Sequence, residues 1–254
     1  MGKRLSHGSN RPGISPQNRR ERISGPKATF FFLAWVARRF PRLVQEVHER
    51  GHEVASHGCN HMLLSQMSSS QIFQDLYESK QILEDITGSP VLGYRAPSFS
   101  IALDHFDLLE KAGYAYDSSY NSFALHKRYG RLDLTRFCQN GIAYRINKNF
   151  AELPVSNLRI RNIIFPWGGG GYFRLLAPAI FYWGVRRIMS SHGGFVFYLH
   201  PWELDPEQPK ARHLSAFSKF KHYVNLEKTS GRLLNFVKRF EGCSFVTCGD
   251  YLKG

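Results

Sequence analysis

The sequence has no apolar run approaching the roughly 18 residues that a membrane-crossing helix needs. The longest hydrophobic stretch, residues 30–37, is closed by Arg38 and Arg39, so a helical span is excluded. A secretory leader is not expected either. The N-terminus is basic, but residues 8–27 are dominated by Gly, Pro, Ser, Asn, Gln and Arg and offer no apolar core for a signal peptide. The expected compartment is therefore the cytoplasm. Cysteine is scarce: Cys59, Cys138, Cys243 and Cys248 form no Cys-x-x-Cys pair, which excludes the usual zinc-knuckle spacings and points to free thiols in a reducing compartment. Acid is scarce too, for the first aspartate in the chain is Asp75.

What is abundant is positive charge, +14 formally over 254 residues. Residues 1–27 carry seven Lys or Arg against Glu21, a net of +6, and the other +8 is spread along the remaining 227 residues. A basic tail can neutralise phosphates, but it comes with no zinc-finger spacing and no basic helix with heptads. A solvated leader over residues 1–26 is the reading adopted, and nucleic acid is not the expected partner.

From residue 27 onward, short β-branched or aromatic runs alternate with helical patterns, the pattern of a parallel sheet wrapped by helices. Strands are predicted at residues 28–33, 52–56, 91–95, 114–117, 152–155, 163–165, 195–200 and 244–247. Helices are predicted at 35–50, from Ser69 or Ser70 through Ile86, and at 101–112, 175–190 and 230–240. Gly51, Gly88 and Gly113 act as helix stops. Residues 118–149 read as irregular. At 43% hydrophobic, the chain can bury one large core.

Polar residues gather where these strands end. Residues 56–61 read Ser-His-Gly-Cys-Asn-His, placing His57 and His61 where a barrel strand delivers side chains to its C-terminal face. That spacing can bring two imidazoles to one zinc-like ion, although two histidines four apart are weak evidence alone. Three further runs fall at strand ends: Gly-Tyr-Arg-Ala-Pro-Ser-Phe at 93–99, Tyr-Asp-Ser-Ser at 116–119, and Phe-Tyr-Leu-His-Pro-Trp-Glu at 197–203. Each has an ordinary explanation: Arg95 as a surface cation, Asp117 as a cap, His200 as a buried hydrogen-bonded ring. Four such runs at successive strand ends make a site the better reading. The run Trp167-Gly168-Gly169-Gly170-Gly171-Tyr172 is followed by Phe173-Arg174 and not Lys-Ser/Thr, which rules out a phosphate loop. A sugar-binding loop and a plain turn both remain. Phe181, Tyr182 and Trp183 are read as helix core, and the apolar patch at 175–185, whose alternative is contact with a membrane surface, as buried.

Together these runs, with Ala28-Thr29-Phe30-Phe31, resemble the NodB-type polysaccharide deacetylases, carbohydrate esterase family 4, and most closely the branch associated with exosortases and exopolysaccharide loci. The resemblance implies a distorted parallel (β/α) barrel and removal of N-acetyl groups from an amino-sugar polysaccharide. It implies that His57 and His61 ligate a divalent metal, zinc first and cobalt as the alternative. Arg95 would orient a catalytic-base aspartate, and His200 would protonate the departing amine. Tyr94, Ala96, Pro97 and Asp117 would line the groove with Gly169, Gly170, Gly171 and Tyr172, while Leu199 and Trp202 would form the acetyl pocket. A metal-bound water would attack the carbonyl, and an oxyanion would form against the ion.

The chain departs from that family at one point. Members open on a strand carrying an acidic pair, the base and a third metal ligand, and no residue of 1–27 supplies it. The expectation is a barrel lacking its first strand and helix, with two exposed strand edges, weakened metal binding and impaired hydrolysis. Losing the base alone is worth a factor of about 10²–10⁴. Asp117, Glu203 and Asp205 are the conceivable substitute carboxylates. The alternative function is a non-catalytic carbohydrate-binding remnant.

Overall fold

In the computed structural model, residues 25–123, 130, 132–211 and 215–254 are described. Most of the basic leader, and residues 124–129 and 131 of the segment read as irregular, lie outside the described residues.

The first unit sets the pattern. Strand β1 (Thr29–Phe32) pairs in parallel with β2 (Glu53–Ser56). Between them the single predicted helix is two, α1 (Ala34–Arg39) and α2 (Pro41–Glu49). Pro41 explains the break: it has no N–H to donate into the preceding turn and its ring suits a first helical position. Phe40 sits between them with φ −132° and ψ 59°. A long helix α3 (Ser69–Thr87) follows, capped one residue earlier than expected. Ser68 accepts from the Gln71 amide while Gln71 Oε1 accepts from the Ser68 amide, a reciprocal box of which the cap is worth about 1 kcal/mol. Ile72, Leu76 and Leu83 of this helix are buried against the sheet's core cluster.

Strands β3 (Gly93–Tyr94) and β4 (Tyr116–Asp117) are short, with α4 (His105–Lys111) between them. The segment read as irregular contains an antiparallel hairpin, β5 (Cys138–Asn140) and β6 (Ala143–Arg145), before β7 (Ala151–Glu152). The sheet order is β1-β2-β3-β4-β7-β6-β5, parallel through β7 and antiparallel beyond. The fold is thus α/β with a mostly parallel central sheet, as the sequence implied. Among the described residues β1 and β5 end the sheet, and no ladder closes it into a barrel.

A second hairpin, β8 (Asn157–Ile160) with β9 (Ile163–Pro166), leads to helix α5 (Gly170–Leu175), which begins inside the glycine run read as a loop or turn, and to α6 (Pro178–His192), the helix predicted at 175–190, which starts at a proline. Then come α7 (Ala216–Tyr223), which the sequence reading missed, α8 (Leu226–Arg239) and α9 (Cys248–Lys253). Phe173, Phe181, Phe236 and Phe240 form an aromatic core beneath this half.

Two predicted strands are absent as strands. Residues 195–200 are extended, but only Tyr198 bridges, in parallel with Gly169, and the run is partly exposed where full burial was expected. Residues 244–247 likewise form no ladder; Phe245 accepts one hydrogen bond from the Lys27 amide and the chain turns into α9. Both runs have strand composition, and composition alone does not provide the neighbouring backbone that a ladder requires.

Candidate functional site

One line of register explains which side chains reach the site. Phe32, Ser56, Tyr94, Asp117 and Glu152 are successive neighbours across five strands. Because side chains alternate along a strand, the next residues, His57 and Arg95, leave on the other side at the carboxyl edge. Tyr94 and Asp117 are fully buried, as is Glu152. The groove-lining roles expected of Tyr94 and Asp117 are therefore corrected: both lie beneath the site. Ala96 and Pro97 are buried too, and the partly exposed residues of that run are Ser98 and Phe99.

His57 and His61 face each other with ring centroids 5.2 Å apart at 76°. The His57 Nδ1–H donates to the Arg95 carbonyl at 2.6 Å, which leaves Nε2 as a lone pair toward the groove. Burial, and then the charges of His61, Arg95 and His200, push His57 down to about 3, against the bond to Arg95. Its ring is neutral, the form a metal takes. The loop carrying both rings depends on Gly58, whose φ is +77° and where a Cβ would lie 2.6 Å from Asp75 Oδ2. Asp75 in turn accepts from the Cys59 amide at 3.1 Å. Burial pushes the Cys59 thiol up to about 12, so it stays protonated.

Arg95 is buried, where a surface cation was the plain alternative. Its Nε donates to the Ser118 carbonyl and its Nη2 to Ser118 Oγ, both at 2.7 Å, and it lies 4.3 Å over the Phe31 ring. Among the described residues no carboxylate forms a salt bridge with it. Asp117 instead accepts from Ser119 Oγ at 2.6 Å, and Ser119 Oγ accepts from the Ala96 amide at 2.7 Å. Asp117 thereby fixes the backbone beside Arg95. Glu152 accepts from the Tyr120 amide at 2.8 Å, while its Oε2 has no ordinary donor in reach. Its neighbour is Asp117, so that contact is a hydrogen bond only while one acid keeps its proton. Burial raises both acids.

The third ring comes from the extended run 195–200. His200 Nδ1–H donates to Glu203 Oε2 at 3.1 Å, and the His200 amide donates to the same oxygen at 2.8 Å. Glu203 also holds Arg174 Nε at 3.1 Å, with both side chains only 2% exposed. Burial alone would raise the Glu203 carboxyl, but the hydrogen bonds from His200 and the Arg174 charge hold it below the usual range. The His200 side chain is 57% exposed and presents Nε2 outward. Trp202 stacks on His222 at 4.1 Å and lies 5.9 Å from His200, while Leu199 packs into the aromatic core. Alternation again separates them: Tyr198 and His200 share the site face and Leu199 does not, which corrects its expected place in the acetyl pocket.

The glycine run is a close-packed wall. A Cβ at Gly170 would lie 2.4 Å from Glu203 Oε1, and one at Gly169 would lie 2.7 Å from the Tyr198 hydroxyl. Gly171 and Tyr172 are partly exposed, and Gly171 has nothing within 4 Å of a Cβ. Gly170→Ala is therefore expected to destabilise by about 1–3 kcal/mol through overpacking, while Gly171→Ala leaves the thermal midpoint within about 2 °C, roughly the shift that 0.5 kcal/mol produces.

The sequence reading missed four contributors: Phe99, Tyr198, Glu152 and Arg174. Phe99 and Tyr198 form an edge-on pair at 5.4 Å, with the Arg95 guanidinium within 6 Å of each ring. Period-2 spacing with His200 would have found Tyr198. Strain marks the same place, since Ser98, Phe99 and His61 have positive φ.

The donors suit a zinc-like ion in kind but not in number. His57 and His61 offer two imidazoles, and such an ion takes at least three protein ligands. The substitute carboxylates do not supply the third: Asp117 is engaged below the sheet and Glu203 between His200 and Arg174. Among the described residues no group of three metal-binding side chains forms.

Residues 23–116 match the family Polysaccharide deacetylase, and residues 118–253 match Domain of unknown function DUF3473. The chain belongs to the DUF3473 family, and its residues 23–116 are similar to the polysaccharide deacetylases. It is 33% identical over 88 residues to the peptidoglycan-N-acetylglucosamine deacetylase of Bacillus cereus, covering 35% of this chain and 41% of that one. It is 32% identical over 98 residues to the peptidoglycan deacetylase of Helicobacter pylori, 38% and 33% of the two chains. The match thus spans less than half the length of these relatives. Among solved structures, the Bc1960 peptidoglycan N-acetylglucosamine deacetylase aligns with TM-score 0.49 at 14% identity, over 91% of this chain and 78% of that one. A CE4-family pseudoenzyme from Bacillus anthracis aligns with TM-score 0.47 at 13% identity, over 91% and 56%.

Proposed function

We propose that this deacetylase-family chain binds an N-acetylated amino-sugar polymer across the groove bounded by His57, His61, Phe99, Tyr198, His200 and Trp202, and that its own residues hydrolyse it poorly. The observation that carries this is the pairing of aromatic and imidazole side chains with the lack, among the described residues, of a carboxylate salt-bridged to Arg95 or grouped with the two imidazoles as a metal ligand. Stacked rings and half-buried amphipathic side chains suit sugar faces and acetyl methyls. In the N-acetyl reading, His200 is the proton donor: Glu203 holds Nδ1–H, leaving Nε2 to reach a leaving nitrogen. Divalent-metal dependence, zinc before cobalt, belongs to the proposal, with binding weakened to two imidazoles. So do a place in exopolysaccharide synthesis, membership of the exosortase-associated branch, and action in the cytoplasm.

Calorimetry with N-acetylglucosamine hexamer, alongside acetate release in the presence of zinc or cobalt, tests this. Oligosaccharide binding is expected to fall at least tenfold in Trp202→Ala, with no acetate above the blank. Acetate release at rates of about 1 per second, in the ordinary range for enzymes, would overturn the impaired reading; absence of oligosaccharide binding would overturn the groove.

A further inference from the structure

The patch at 175–185, read from the sequence as buried, is buried on one side only. Leu175 is 49% exposed, Ile180 51% and Trp183 49%. Helix α6 turns Phe181, Val185 and Ile188 into the core, and its opposite side carries Ile180 and Trp183, then Arg186 and Arg187, all exposed. Pro178 and Tyr182 of the same helix border a cleft of about 530 Å³ whose other wall is α8, with Arg232, Lys238 and Arg239 facing a single acid, Glu241. The sequence reinforces this polarity: between Glu152 and Glu203 there is no acidic residue, and there are five arginines.

An exposed indole and aliphatics followed by cations on one helix face make an amphipathic surface suited to the bilayer interface, where apolar groups meet acyl chains and cations meet headgroups. We propose that this face, the exposed side of α6 with the end of α5 and the basic cleft beside α8, docks on a membrane surface bearing anionic phospholipid. Charge complementarity favours that occupant over a protein groove, because the face presents positive charge around its apolar centre and one bilayer supplies both counterparts. It lies on the membrane and does not enter it, for among the described residues no helix is long and apolar enough to cross. The docking itself stands independently of the groove reading.

Co-sedimentation of the full chain with vesicles of phosphatidylcholine and phosphatidylglycerol at 3:1 tests it. Binding is expected, at least tenfold weaker to phosphatidylcholine alone, and at least tenfold weaker for Ile180→Ser combined with Trp183→Ser. Those side chains are exposed, so the circular dichroism spectrum and thermal midpoint stay as in the parent. Arg186→Gln with Arg187→Gln should weaken binding and reduce its salt dependence. Absence of binding to the anionic vesicles would overturn the proposal. So would binding unchanged by the Ile180 and Trp183 substitutions, as when the cations of residues 1–27 alone carry it. A dimer in solution that those substitutions dissolve would assign the face to a second copy instead.

Discussion

Arg174→Ala is expected to cost about 3–5 kcal/mol of stability. Removing one partner of a buried ion pair leaves the other charged and unsolvated. Here Glu203 would keep only His200, while the Arg174 bonds to the His222 and Val224 carbonyls, at 2.8 and 3.0 Å, would be lost as well. Chemical denaturation measures this directly. The double variant Arg174→Met with Glu203→Leu separates pair from packing: exchanging a buried pair for apolar side chains of similar volume is often neutral or stabilising. That variant should recover most of the loss while removing the His200 partner. Stability and His200 orientation therefore dissociate, and a double variant as unstable as the single one would refute the ion-pair account.

Asp117→Ala is expected to cost about 1–3 kcal/mol, since Ser119 and the Ala96 amide beyond it lose a buried acceptor chain. The pair it forms with Glu152 also sets a pH dependence whose sign follows from the shifts. Burial raises both acids above their ordinary range. A group whose folded value is raised contributes stability fully below its unfolded value, about 4 for these side chains, and loses it as pH rises through the folded value. The pair's own contribution should thus fall from that point upward, while His57, lowered to about 3, contributes a rise up to its unfolded value of about 6.5. Glu152→Gln keeps a donor toward Asp117 and removes one proton from the balance. The pair is therefore read as the difference between the two profiles, with the variant's midpoints falling less or rising more with pH than the parent's. A profile that rises with pH through the same window in the parent and not in the variant would reverse the assignment.

The parallel sheet was legible because alternation of period 2 and 3.6 survives in residues 27–117, and the strand ends carried polar runs. Pro41 was visible yet was read through, which merged two helices, and the glycine run at 168–171 hid the start of α5. Strand identity at 195–200 and 244–247 was overcalled because β-branched and aromatic composition does not report whether a neighbouring strand exists. The hairpin β5–β6 escaped for the opposite reason: Cys138, Gln139 and Asn140 are exposed, so nothing apolar marks that strand. Within the site, His57, His61, Arg95 and His200 were singled out from spacing and resemblance; the structure pairs the His57 and His61 rings at 5.2 Å, bonds His57 to the Arg95 carbonyl, and sets His200 beside Tyr198. Tyr94, Asp117 and Leu199 were misassigned for want of the register, which decides the face of every residue on a strand. Arg174 and Glu203 are separated by 29 positions, and only the fold brings them together.

The groove's incompleteness has one direct test, a crystal of the protein soaked in zinc and recorded at the metal's absorption edge. The account expects a weakly occupied ion touching His57 Nε2 and His61, its remaining positions filled by solvent. A fully occupied ion also held by a carboxylate of this chain, or an ion bound elsewhere with both imidazoles bare, would contradict it.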